Sequence, residues 1–350
     1  MKRIIVAFAI LAMVGSGFVY AGGQAEEDTD DLRVVLYLNG TLGDQSFFDS
    51  AARGVQMAED QFGLTTQIIE GGYDPANWEP DLQQIAEGNW DIFIAGTAQL
   101  IDYIADIAPM YPDTTFFHYD QSVDYGAADL SNVYSILYAQ NEGSFLVGAI
   151  AGMLTQAELE RSNPDTNTIG FIGGMDIPII NDFLAGYRQG AEEVNPDVDV
   201  LVSYVGNFDD PARGKELALA QIEQGADVIF PAAGESGLGA LEAAGEQGVY
   251  SIGVDSDQYE LLIDEQPEIA EAIVTSMLKN VDNSIVRAVQ MYLDGDLPVG
   301  QAEVLGIPEE GVGLARNENF DRIVTDEMVR QLDRLIDAID AGEIQVDTAL

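Results

Sequence analysis

Residues 169–258 constrain the fold of this chain more than any other stretch. A short apolar run ending in Gly, Asp or Asn, followed by an amphipathic helical pattern, recurs through them. IGFIGG (169–174) leads into the helix expected after Asp176. VLVSYVG (200–206) leads into the helix after Pro211, and ADVIFPAAG (226–234) into the helix after Gly237. VYSIGVDSD (249–257) closes the series. Strands that alternate with helices require a parallel sheet covered on both faces. Ligands of such sheets lodge outside the carboxyl ends of the strands. Gly173, Gly174, Phe208, Asp209, Gly234, Ser236 and Asp255 fall at those ends.

The same order reads in an earlier half. LRVVLYLNG, TTQIIEGG, DIFIAG, TTFFHYD and NVYSILY are strands, and helices are expected over 49–62, 78–88 and 98–110. After the helix EGSFLVGAIAGMLT (142–155) the pattern starts again. Residues 264–293 read as helix-rich, and 326–341 as a last amphipathic helix. The architecture expected is α/β: two doubly wound parallel-sheet lobes joined by a hinge, with a cleft between them. Residues 32–138 with about 257–292 form the first lobe. Residues 139–256 with about 293–341 form the second, and 342–350 form a tail. At 350 residues and 47% hydrophobic, the chain can fill two such cores.

The first 21 residues have the layout of an export signal. Lys2 and Arg3 precede an apolar stretch from Ile4 to Val14, and Val19-Tyr20-Ala21 offers small residues for cleavage. Residues 22–31 read as a flexible acidic tether. An exported protein at the outer face of the cytoplasmic membrane is therefore expected. The chain contains no cysteine, which excludes disulfides, thiol catalysis and a cysteine-linked lipid anchor. Its net charge is 14 − 61 = −47. Neutralising phosphates takes clusters of Lys and Arg, so nucleic acid is excluded as a partner. The acids are spread through the helices, the pattern of a solvated surface suited to a salty, screened environment.

Catalytic patterns are missing. GFIGGMD lacks the G-x-G-x-x-G spacing, and no Gly-Lys-Ser/Thr follows a glycine-rich loop. GESGLG (234–239) opens a helix, either as a plain tight turn or with its N–H groups facing a polar ligand. The single histidine, His118, sits among Phe116, Phe117 and Tyr119 and reads as a core residue. Asp197, Asp199, Asp255 and Asp257 lack the EF-hand pattern, so no metal or cofactor is expected. Phe47 and Phe208 each follow a short polar turn after a strand, one per half. They either pack their loops or sandwich a flat apolar ligand. Lys279 lies in AIVTSMLKNV, read as helical, either snorkelling to solvent or donating into the cleft.

Six motifs together resemble the basic membrane protein family, the purine nucleoside receptors of bacterial ABC importers. They are GDQSFFDSA (43–51), NEGSFLVGAIAG (141–152), GFIGGMDIPII (170–180), GNFDDPARGKELA (206–218), ADVIFPAAGESGLG (226–239) and YSIGVDSDQ (250–258). The resemblance spans nearly the whole chain after residue 31. It implies a type I periplasmic-binding-protein fold, two α/β lobes with three hinge crossovers and a ligand in the cleft. It also implies that Phe47 and Phe208 stack on the base. Asp255 and Lys279 hold the ribose hydroxyls, Asp120 adds a polar contact, and the loop Gly234, Ser236, Gly237 lines the same end. Asp44 and Ser46 belong to the first-lobe turn facing the ligand.

Three positions depart from the family pattern. Asn39 stands where the first strand usually ends in a ligand-contacting aspartate. Phe48 replaces the usual Asn after SFx, and Ala51 and Ala52 replace an aromatic residue. The function implied is non-enzymatic: a monomeric receptor that captures a nucleoside and delivers it to an ABC permease. Its alternatives are the same fold with a sugar or other polar metabolite, a nucleoside sensor, and, more remotely, a nucleoside-cleaving enzyme.

Overall fold

A computed structural model describes residues 32–350; the expected signal and tether (1–31) lie outside the described residues. The chain first alternates β1 (Arg33–Leu38), α1 (Phe47–Phe62), β2 (Thr65–Glu70), α2 (Pro75–Ala86), β3 (Ile92–Gly96), α3 (Ile101–Ile107), β4 (Thr115–Tyr119) and β5 (Val133–Tyr138). A second series follows: α4 (Gln140–Gln156), β6 (Thr168–Gly173), α5 (Pro178–Val194), β7 (Asp199–Tyr204), α6 (Pro211–Glu223), β8 (Ala226–Ala232), α7 (Glu235–Gln247), β9 (Tyr250–Asp255), α8 (Gln258–Leu262), α9 (Pro267–Ala270) and β10 (Ile273–Lys279). The chain ends with α10 (Val281–Asp294), β11 (Gln301–Leu305), β12 (Val312–Leu314), α11 (Glu318–Ile323) and α12 (Asp326–Asp340).

Two six-stranded sheets result, in the orders β11-β5-β4-β3-β1-β2 and β12-β10-β9-β8-β6-β7. The first is parallel throughout, and in the second only β12 runs antiparallel to its neighbour. The two orders are equivalent: each sheet starts beside its edge strand and reverses direction next to β1 or β6. The central strands β3, β6, β8 and β9 are buried along their whole length, as helices on both faces demand. This is the α/β, two-lobed arrangement expected from the repeating pattern.

The chain passes between the sheets three times, at Ala139, at Asn280 and between Leu305 and Val312. Here the lobes differ from the sequence expectation. About 257–292 are expected in the first lobe and about 293–341 in the second; α10 does pack on α1, yet β11 extends the first sheet and β10 is hydrogen-bonded into the second. The cause is the run Ile273-Val274-Thr275, three β-branched residues that favour a pleated, buried surface over a helix. Lys279 consequently ends a strand rather than sitting within a helix. The segment after α12 is also tied down. Buried Asp182 accepts hydrogen bonds from Thr348 Oγ1 (2.7 Å) and Ala349 N (2.8 Å).

Candidate functional site

The carboxyl ends of both sheets face one cavity of about 310 Å³, within the range of small-molecule sites. Backbone strain collects around it. Thr97 (φ 78°), Asp120 (φ 81°) and Asp255 (φ 63°), at the ends of β3, β4 and β9, all adopt left-handed conformations that L-residues avoid. Such outliers persist where the surrounding structure over-determines them, commonly at ligand clamps.

On the first-lobe side, the turn before α1 is built around Asp44. Its buried carboxylate accepts from the backbone N–H of Ser46 (3.0 Å), Phe48 (2.9 Å) and Asp49 (3.1 Å). Three orphan donors at a helix start are thereby satisfied. Burial pushes the Asp44 pKa up to about 7 against those donors. The turn sets Phe47 at the cavity, 5.4 Å from the Tyr119 ring. Phe48 lines the cavity too and packs onto Gly40, its ring lying where a Cβ on Gly40 would come within 2.2 Å. Asn39, only 3% exposed, donates to Thr97 Oγ1 and Gln99 Oε1, both at 3.0 Å.

On the second-lobe side, Phe208 stands in the loop between β7 and α6. Its carbonyl accepts from Ser236 N (3.0 Å), and Ser236 Oγ accepts from Asp210 N (2.8 Å). The ring rests against Gly174, where any Cβ would lie 2.3 Å from Phe208 Cε1. Gly234, at φ 56°, makes the turn into α7.

Two buried contacts join the lobes inside the cleft. Lys279, 2% exposed, forms an ion pair with Asp120. Its ammonium also lies 5.2–5.3 Å from the Phe47, Tyr138 and Phe183 ring centres, within cation–π range. Ser46 Oγ donates to Asp255. Burial pushes the Asp255 carboxyl up to about 6, with Lys279 and Ser46 drawing it back down. The cavity thus offers aromatic faces from both lobes and a buried carboxylate–ammonium–carboxylate row.

Nine of the twelve expected residues line the cavity: Asn39, Asp44, Phe47, Phe48, Asp120, Phe208, Gly234, Asp255 and Lys279. Ser46, Ser236 and Gly237 lie behind it, where Ser46 and Ser236 hold Asp255 and the Phe208 loop in place. Sequence reading missed Tyr73, Thr97 and Gln99 in the first lobe and Met175, Phe183 and Asn207 in the second. Tyr73 and Thr97 follow the ends of β2 and β3 as Phe208 follows β7, so the strand-end rule reaches them. His118 is fully buried, and burial lowers its pKa to about 4, leaving it neutral in the core as expected. Among the described residues no acidic or histidine cluster could hold a metal ion.

Two equivalent doubly wound lobes that share a cleft at their strand ends define a type I periplasmic binding protein. The chain belongs to the family described as ABC transporter substrate-binding protein, PnrA-like, whose model matches residues 32–348. Basic membrane protein A of Borreliella burgdorferi is 28% identical, covering 94% of this chain and 91% of its own. A crystal structure of an ABC transporter solute-binding protein from Aeropyrum pernix K1 superposes with a TM-score of 0.79 at 25% identity, covering 91% of this chain and 93% of that one. The Caulobacter myo-inositol binding protein, solved with myo-inositol, shares the fold at a TM-score of 0.60 and 15% identity, covering 85% of this chain and 97% of that one.

Proposed function

We propose that this substrate-binding protein captures a nucleoside, with a purine base, and presents it to the permease of an ABC importer outside the cytoplasmic membrane. The observation that carries this reading is the pairing, around one cavity, of Phe47 from the first lobe and Phe208 from the second with the buried Asp120–Lys279 pair and Asp255. A purine has two apolar faces suited to aromatic rings, and a ribose diol suits a carboxylate acceptor beside an ammonium donor. In this reading Phe47 and Phe208 stack on the base, and Asp255, Lys279 and Asp120 take the sugar hydroxyls. Asn39, with Thr97 and Gln99, faces the ligand with neutral amide and hydroxyl groups. The protein acts as a monomer and performs no chemistry on its ligand. No described helix is long and apolar enough to cross a membrane, in keeping with a receptor that meets its permease at the surface.

Phe208→Ala tests the stacking role. Removing one ring from a stacked base should cost about 1–3 kcal/mol, or roughly five- to 150-fold in Kd. Isothermal titration with guanosine, inosine and adenosine reads this directly. Equal affinity of parent and variant for all three would remove Phe208 from the site.

A further inference from the structure

The lobes also meet along a polar seam beside the cavity, made by residues that do not line it. On the second lobe it is the turn after β9 and the start of α8, carrying Ser256 and Gln258. On the first it is the turn at Gln45 and the first turns of α1, carrying Arg53. Arg53 Nη2 donates to Ser256 Oγ (3.1 Å), and Gln258 Nε2 donates to the Gln45 carbonyl (3.1 Å).

Each of these donors is already held by its own lobe. Arg53 Nε donates to Asp282 Oδ2 (2.8 Å), and Asp282 begins α10, which packs on α1. Gln258 Oε1 accepts from Val254 N (3.0 Å) within the second lobe, where Gln258 is 2% exposed. A side chain anchored in this way loses little conformational freedom when it makes its bond across the gap. Its interlobe bond exists only while the lobes meet, so it biases the equilibrium towards closure and contributes nothing to the open form.

We infer that Arg53, Ser256, Gln258 and the Gln45 carbonyl form a latch that sets the closed-to-open balance of the two lobes independently of the ligand contacts. They are positioning residues, and the inference rests on the two-lobe fold rather than on which solute is taken. A latch outside the cavity would tune how long a solute is retained without altering which solute is recognised.

The chain contains no cysteine, so dyes can be placed at single introduced thiols. Asp113→Cys and Asp197→Cys put one on each lobe, at exposed positions away from the cavity. Single-molecule energy transfer on the full chain then reads the interlobe distance, first with nothing added and then with guanosine. Ser256→Ala, a change of one oxygen, is expected to lower the closed-to-open ratio by about fivefold, the effect of one net hydrogen bond. Arg53→Met is expected to lower it at least as much, and the two together by less than the product of the separate effects. Arg287→Met, which breaks a pair with Glu303 inside the first lobe, should leave the distances unchanged. With guanosine bound, the latch variants should release it faster and capture it at the parent's rate. Distance distributions of both variants that superpose on the parent, or a parent already wholly open, overturn the latch. A parent that binds no guanosine counts against the nucleoside reading alone, because the distances without guanosine still decide the latch.

Discussion

Asp255 carries a stability cost at the centre of the candidate site. Its carboxyl is 7% exposed, and burial raises its pKa from 3.8 to about 6. A folded-state pKa above the unfolded value means the folded protein binds the proton more tightly. The stabilisation is complete below the unfolded value and disappears as pH rises through 6, so ionised Asp255 is a burden at neutral pH on the order of 3 kcal/mol. Asp255→Asn is therefore expected to unfold at higher urea than the parent at pH 8. It should also show a shallower loss of stability between pH 5 and pH 8, while losing ligand. Urea midpoints of the two proteins that run parallel across that range would contradict this. In the nucleoside reading, a ligand hydroxyl that needs a strong acceptor offsets that cost.

At the scale of elements, α4 and α5 show why small residues recur in NEGSFLVGAIAGMLT and FLAGYRQGAEE. A Cβ at Gly148 would lie 2.0 Å from the Tyr187 carbonyl, and at Gly190 1.9 Å from that of Phe145. The two backbones are in contact, and α4, the first crossing helix, is seated by that contact beside the hinge at Ala139. Gly190→Ala must push the helices apart, which should cost about 1–3 kcal/mol; a thermal midpoint equal to the parent's would refute the close packing. The α4 helix was legible in the sequence because its length and apolar character leave no other reading. Strand β10 was not, because Ile273–Leu278 is a short apolar run whose periodicity fits helix and strand alike. Its β-branched start was the signal that decides, and with it Lys279 moves from a helix face to a strand end in the cleft. The side chains at the strand ends were legible as types. Their pairings, Lys279 with Asp120 and Ser46 with Asp255, join residues 159 and 209 positions apart and follow only from how the two sheets close on each other.

For the molecule as a whole, the equivalence of the two strand orders explains why the ligand site is shared. Each lobe brings a strained set of strand ends to one edge, and three crossings set those edges face to face. The departures that the family resemblance implies, Asn39 and Phe48 among them, lie in the first lobe. Asn39 is locked to Thr97 and Gln99, and Phe48 is turned onto Gly40. The second lobe brings Phe208, Asp255 and Lys279 to the cavity. In the nucleoside reading, a changed preference among bases would be written at Asn39 and Phe48. A net charge of −47 repels itself, and salt screens that repulsion. The decisive measurement is calorimetric titration of the ligand-stripped protein with guanosine, inosine, adenosine, ribose and myo-inositol. At least one purine nucleoside should bind at least about fivefold more tightly than ribose, the lower end of what stacking one base supplies. Binding of ribose or myo-inositol with no heat from any nucleoside would contradict a site built around Phe47 and Phe208 and make this a sugar receptor.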